Sequence, residues 1–179
     1  HLANRDLARA RDELERSWST GWHTADGALT LSQVHAELFR EAIERATRQR
    51  DATTREALRR EAEARFREPA LRYLGEARTL GAPLAPFVAG LVASLEGDHE
   101  RALARAREVQ GLDPAFYEAH LFEGDLHRLR AHELFWKSEY DAARELARAA
   151  LASFVRATEV GRSDPRSYLG SCRAWSLIV

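Results

Sequence analysis

Apolar side chains along this chain recur at helical spacing almost from end to end. Leu7, Ala10, Leu14 and Trp18 fall at i, i+3, i+7 and i+11, which places them on one side of a helix over about residues 3–19. Residues 20–30, polar and containing two glycines, read as a loop. Leu31, Val34, Leu38, Ala42, Ile43 and Ala46 make a second stripe, running to about residue 49. Thr30 with Gln33 spells a capping box at its start, hydroxyl and amide each serving a free N–H. Thr53 with Glu56 spells another, opening a long segment through Leu80. Pro69 lies inside that segment, where it removes one N–H and crowds the preceding turn, so a kink or break is expected there.

Gly81, Pro83 and Pro86 lead into a short helix of about 84–96. Gly97 and Asp98 turn the chain into the next, about 98–111, which stops at Gly111 and Pro114. A long helix follows at about 115–137, and Ser138 is placed to cap its successor, about 139–160. Gly161 and Pro165 end that one, and a last helix begins near residue 166. No stretch alternates apolar and polar positions over β-branched residues, so strands are not expected. The pattern predicts an all-α fold, nine helices paired in antiparallel hairpins.

A chain of 179 residues suffices for one domain or a short repeat array. Its single cysteine, Cys172, excludes an internal disulfide framework and fits a reducing, cytoplasmic setting. No apolar run approaches the ~20 residues that span a bilayer, and no signal-peptide pattern occurs, so no membrane association is expected. The sequence has no methionine and opens on His1, which points to a piece of a longer protein, with His1 left over from its preparation. Net charge is −1, from 27 basic and 28 acidic side chains intermixed along the chain. A nucleic-acid-binding surface would show a basic face, and none is legible. Lys137 is the one lysine among the basic residues; the arginine bias reflects either codon usage or recognition of carboxylates and phosphates.

The segment 97–114 carries the most specific signal. Gly97 and Asp98 open it, the small and apolar Ala102, Leu103, Ala106 and Val109 follow, and Leu112, Asp113 and Pro114 close it. This resembles the second helix and exit turn of a tetratricopeptide repeat, with His99 where tyrosine is usual and Gly90 as the small residue of the preceding helix. Ala119 and Gly124 match the small positions of a following unit, with His120 where tryptophan is usual. Residues 137–143 echo the turn, Ser138 replacing glycine, and Asp164-Pro165 closes the unit. The resemblance covers 83–116 and 117–165 best, and more loosely 31–80, where Ala70, Leu71, Leu74 and Ala77 keep the second-helix spacing. Asp-Pro recurs after 51 residues against a family period of about 34. Counted from Ala119, the turn comes seven residues late and the exit ten, so both helices lengthen together. At 1.5 Å per residue that hairpin projects roughly 10–15 Å beyond a standard repeat.

The resemblance implies a single domain over 1–179, a right-handed superhelical stack of antiparallel helix pairs with irregular, extended helices. It also implies a non-catalytic scaffold that binds a peptide or protein partner on the concave surface formed by the first helix of each pair. By position that surface presents Leu84, Phe87 and Leu91, then Glu118, Leu121, Asp125 and Arg128; the competing expectation buries the three apolar ones under the N-terminal hairpins. The irregular long-helix repeats are also similar to the repeat regions of bacterial serine/threonine kinases, though no kinase motif is present. Self-association as an architectural segment is the alternative reading, and a homo-oligomer is compatible with either.

Candidate chemistry is sparse. His120, Glu123 and His127 share one helix face, and two imidazoles with a carboxylate suit a metal. The resemblance places them inside the hairpin, so a buried polar cluster, with Glu123 and His127 paired and satisfied by arginine or a backbone group, is expected instead. Glu96 with His99 straddles a turn and has no second copy, and His132-Glu133 lacks the second histidine of a zinc-protease helix. No nucleophile elbow, phosphate-binding loop or dinucleotide fingerprint occurs, and Cys172 reads as core packing. Neither catalytic residues, bound metal nor cofactor are expected. Phe135, Trp136 and Tyr140 stand at the tip of the extended hairpin, where a solvated turn would be polar. They are expected to contact a partner or second copy, unless Trp136 packs onto Trp175.

Overall fold

The computed structural model describes residues 2–82 and 84–178, with side chains from Asp6 onward, and no strand occurs among them. His1 and Pro83, which carried expectations above, fall outside the described residues. The chain packs as two compact units, one up to Val88 and one from Ala89 on. None of the described helices is long and apolar enough to cross a membrane.

The first unit is built around α2 (Ala25–Thr47), which lies against α1 (Leu2–Ser19), α3 (Ala52–Ala62) and α4 (Glu68–Thr79). Helix α2 starts well before the expected cap at Thr30. Thr24 Oγ1 accepts from Gly27 N–H at 3.0 Å, and the Thr30 hydroxyl donates back to the Asp26 carbonyl at 2.8 Å. Gly27 reads as loop in sequence but is buried in α2. A Cβ there would stand 2.9 Å from both Trp22 and the capping oxygen, so the ring of Trp22 requires a bare backbone. Helix α3 likewise starts early, because Asp51 accepts from Thr54 N–H at 2.6 Å in place of Thr53. Pro69 does not break the helix. A π-helical turn, Glu63–Arg67, joins α3 to α4, with Glu68 N–H bonded to the Glu63 carbonyl. The wider turn gives the proline ring room against the carbonyl four residues back. The expected disturbance takes the form of this π-turn, and α3 and α4 run on through it without interruption.

Leu38, Ala62 and Phe66 form this unit's apolar core, with Leu7, Val34 and Ile43 packed against them. Beside it lies a polar one. His35 is 2% exposed, and its Nε2 sits 2.9 Å from Glu15 Oε1 on α1. The imidazole stacks on Tyr73, centroids 5.7 Å apart at 28°, and Trp18 meets the same Tyr73 edge-on at 5.5 Å. Burial pushes the His35 pKa below its ordinary 6.5, overriding the upward pull of Glu15, while Arg11 and Arg72 push it further down.

The second unit takes the end of α5 (Ala85–Glu96), then α6 (His99–Leu112), α7 (Tyr117–Trp136), α8 (Tyr140–Val160) and α9 (Pro165–Trp175). Asp98 and Asp164 cap α6 and α9 through Arg101 and Arg166 N–H groups, at 3.0 and 2.8 Å. Ser138 is not the cap of α8: it sits at φ 64°, in the left-handed region that favours glycine, and Glu139 precedes the helix with no side-chain bond. Phe154 of α8 is fully buried among Leu121, Ala150, Ala157 and Ala174. A Cβ on Gly124 of α7 would come within 2.7 Å of its ring, and one on Gly170 of α9 within 2.5 Å. The phenyl ring is therefore gripped by two glycine backbones. Gly90 does the same for Phe122 and Arg105, 3.1 Å from where its Cβ would lie. Cys172, expected in the core, is exposed: the inner face of α9 is Ser167, Gly170 and Ala174, and Cys172 falls two residues off it.

Two outcomes follow. Phe154→Ala should cost about 3–5 kcal/mol in chemical denaturation, and Gly124→Ala about 1–3, because the ring has nowhere to retreat. Combining Gly124→Ala with Phe154→Leu should recover part of the glycine's loss. For His35 the folded pKa is the lower one, so the unfolded chain takes up a proton first as pH falls below 6.5. The urea midpoint should fall as pH drops below 6.5 and that stability is lost, and His35→Gln should flatten the dependence.

Candidate functional site

The α7–α8 hairpin gathers most of the residues singled out by sequence. On its α6 side, Glu123 of α7 reaches Arg107 and Gln110 of α6. Its Oε1 lies 3.0 Å from Arg107 Nε, and its Oε2 accepts from Gln110 Nε2 at 2.9 Å. His127 Nε2 is 3.9 Å from Oε1, so it acts through its polarity at a distance longer than a hydrogen bond. His127, Gln110 and Arg107 together hold the Glu123 carboxyl down to about 2, against the desolvation that raises it. This is a closed ion-pair network at the α6–α7 contact, and among the described residues no three potential ligands converge as a metal site. His120 makes no hydrogen bond in it, and burial lowers its pKa from the ordinary 6.5 against the upward pull of the nearby Glu123 carboxylate.

At the far end, the last turn of α7 and the first of α8 bring three aromatics together. Phe135 packs edge-to-face on Trp136 and Tyr140, with centroids 6.1 and 5.4 Å apart. Trp136 Nε1–H donates to His132 Nε2 at 3.1 Å, one turn back, so that imidazole carries its proton on Nδ1. The cluster stays in water. Trp136 is 61% exposed and Tyr140 49%, and Trp175, its expected cover, is itself more than half exposed. Leu134 and Ala131 anchor the turn from below. Ser138 in its left-handed conformation tightens the reversal that sets Tyr140 beside Phe135.

The surface implied by the repeat resemblance looks different. Phe87 and Leu121 are buried, Leu121 as part of the Phe154 core, so neither offers a face to a ligand. Leu84 and Leu91 are half-buried, and Leu84 adopts φ 58° at the start of α5. Glu118 is half-buried, while Asp125 and Arg128 pair with each other at 3.2 Å on the same helix. Only that last pair is brought together. Residues missed by sequence are Arg107 and Gln110, which satisfy Glu123 from another helix, and His132, which steadies Trp136. The His132–Trp136 spacing of four was readable; nothing in the sequence marks which helix faces Glu123.

The depressed Glu123 carboxyl has a measurable consequence. Its contribution is complete above the ordinary 4.5 and disappears as pH falls toward about 2. Allowing for solvent screening of the exposed Arg107, it is worth about 2 kcal/mol. Glu123→Gln should lower stability at pH 7 and remove the acid limb of the urea midpoint between those two values.

Neither a scan against protein-family models nor a search of curated proteins returned a match for this chain, so its reading rests on its own residues.

Proposed function

We propose that this chain is a non-catalytic protein-binding module, its helix pairs following a tetratricopeptide-like stacking plan, and that it engages a partner protein through the tip of the α7–α8 hairpin. The observation that carries the reading is the exposed trio Phe135, Trp136 and Tyr140. Three large rings held in water at a tight turn cost solvation, and each presents rigid contact area with little rotamer entropy to lose. Their mutual edge-to-face packing fixes the cluster before any partner arrives, which lowers the cost of binding.

The stacking plan draws support from the paired Asp-Pro exits and from Gly90 and Gly124, each meeting a neighbouring aromatic where the family keeps a small residue. The non-catalytic reading rests on how the ionisable groups are spent. Glu123 is tied to Arg107 and Gln110, and the buried His35 is tied to Glu15. A cytoplasmic setting within a larger regulatory protein fits the lone cysteine. Self-association through the same tip is the second reading, since exposed aromatics serve either purpose.

Phe135→Ser with Trp136→Ser should leave the thermal melt within a few degrees, because both rings are solvated. The pair should weaken capture of a purified, reconstituted partner by tenfold or more. Light scattering on the unmutated chain separates the readings: a dimer that the double variant dissolves would favour self-association. Partner capture that ignores the tip would end the proposal.

A further inference from the structure

On the flank of the same hairpin, a groove of about 480 Å³ runs between the end of α6 and the end of α8, floored by His120 of α7. Arg107 and Gln110 line one wall, Arg156 and Glu159 the other. A second hollow of about 610 Å³ continues it along α8 past Arg148, Leu151 and Val155, sharing Arg156 and Glu159. Together they make an open trough along Arg148–Val160, roughly 18 Å of helix, with a facing wall from α6 only at its Glu159 end.

His120 is the unusual member. It is 9% exposed, and its Nδ1 is buried with no hydrogen-bond partner. Burial favours the neutral ring, outweighing the upward pull of Glu123, and Arg156 pushes its pKa the same way as burial. A neutral imidazole carries one N–H and one bare lone pair. A sealed nitrogen without a partner is cheaper as the lone pair than as an orphaned N–H. The proton therefore belongs on Nε2, the nitrogen left to serve the groove as a donor. Arg156 supplies a guanidinium beside it, and among the described residues neither Arg156 nor Arg148 meets a carboxylate at ion-pair distance. Leu151 and the half-exposed Val155 set an apolar strip between those two arginines.

We propose that this trough binds an acidic, otherwise apolar segment of a partner protein, with a side-chain carboxylate held by Arg156 and His120 and aliphatic side chains laid on Leu151 and Val155. Two N–H donors lining one groove from different helices suit the paired oxygens of a carboxylate. Glu159 on the rim repels a dense run of negative charge, so an isolated carboxylate among apolar neighbours fits better than a polyanion. The length of the trough calls for a peptide segment in place of a small free acid. The groove lies away from the aromatic tip. The inference rests on the protein-binding reading but not on the tip.

The test uses a blocked nine-residue peptide of leucine and serine with one central glutamate, its glutamine twin, and acetate, each titrated into the whole chain and followed by NMR. The glutamate peptide should shift amides over 148–160 and the His120 ring. The glutamine twin and Arg156→Ala should each bind at least tenfold more weakly, and acetate should shift His120 alone. His120→Phe should weaken the glutamate peptide while leaving the twin unchanged. Trp136→Ser should leave all of this intact, which separates failure of the trough from failure of the tip. Equal binding of both peptides, shifts confined to the tip, or none at millimolar peptide would overturn the proposal, as would acetate matching the peptide.

Discussion

Phe154 decides how the second unit is assembled. Its ring occupies the space where two Cβ atoms would otherwise stand, one on Gly124 and one on Gly170, so α7 and α9 can approach α8 only in the register that sets those glycines over it. Alanines carry the rest of the inner face: Ala143, Ala147, Ala150 and Ala157 are all fully buried, and their small size lets the helix axes close. Once that stripe faces inward, the geometry of a 3.6-residue turn sends Arg148, Leu151, Val155, Arg156 and Glu159 outward together. The apolar and basic character of the outer face of α8 is thus a consequence of core packing. A larger residue at either glycine would rotate or displace the helix and scatter the surface with it.

Helix existence was legible along nearly the whole chain, since burial of one face leaves its period in the sequence. Helix starts were not. Thr24 and Thr30 both offer a hydroxyl ahead of the apolar stripe of α2, and the outcome turned on Trp22, whose ring closes over Gly27 and makes that glycine a packing residue. Asp51 outcompeted Thr53 because a carboxylate caps free N–H groups more strongly than a hydroxyl. At Pro69 the sequence announced a disturbance, but its form depended on the chain's freedom to widen one turn at Glu63–Arg67. A proline two residues beyond a π-turn needs no break.

The candidate site was legible in a narrower sense. The aromatic tip could be read because its residues are neighbours in sequence, separated only by the turn. The concave surface could not. Its assignment depended on which face of α7 looks outward, and Leu121 is claimed by the Phe154 core, a partner more than thirty residues away in sequence. Long-range pairing of this kind leaves no periodic trace. The same holds for Glu123, whose burial was foreseeable but whose two partners on α6 were not.

The two deeply buried histidines show how differently one fold can treat the same side chain. His35 spends its donor on Glu15 and stacks its face on Tyr73, so burial costs it one bare lone pair. His120 has no such arrangement. Its Nδ1 is sealed without a partner, and burial together with Arg156 disfavours its protonation despite the nearby Glu123 carboxylate. An unpaired buried polar group costs about 1–3 kcal/mol, a penalty that an apolar side chain at this position would not incur. A residue that weakens the free hairpin while facing a groove lined by arginine is best understood through what it offers a carboxylate. The apolar alternative would have made a more stable helix pair and a surface unable to distinguish acid from amide.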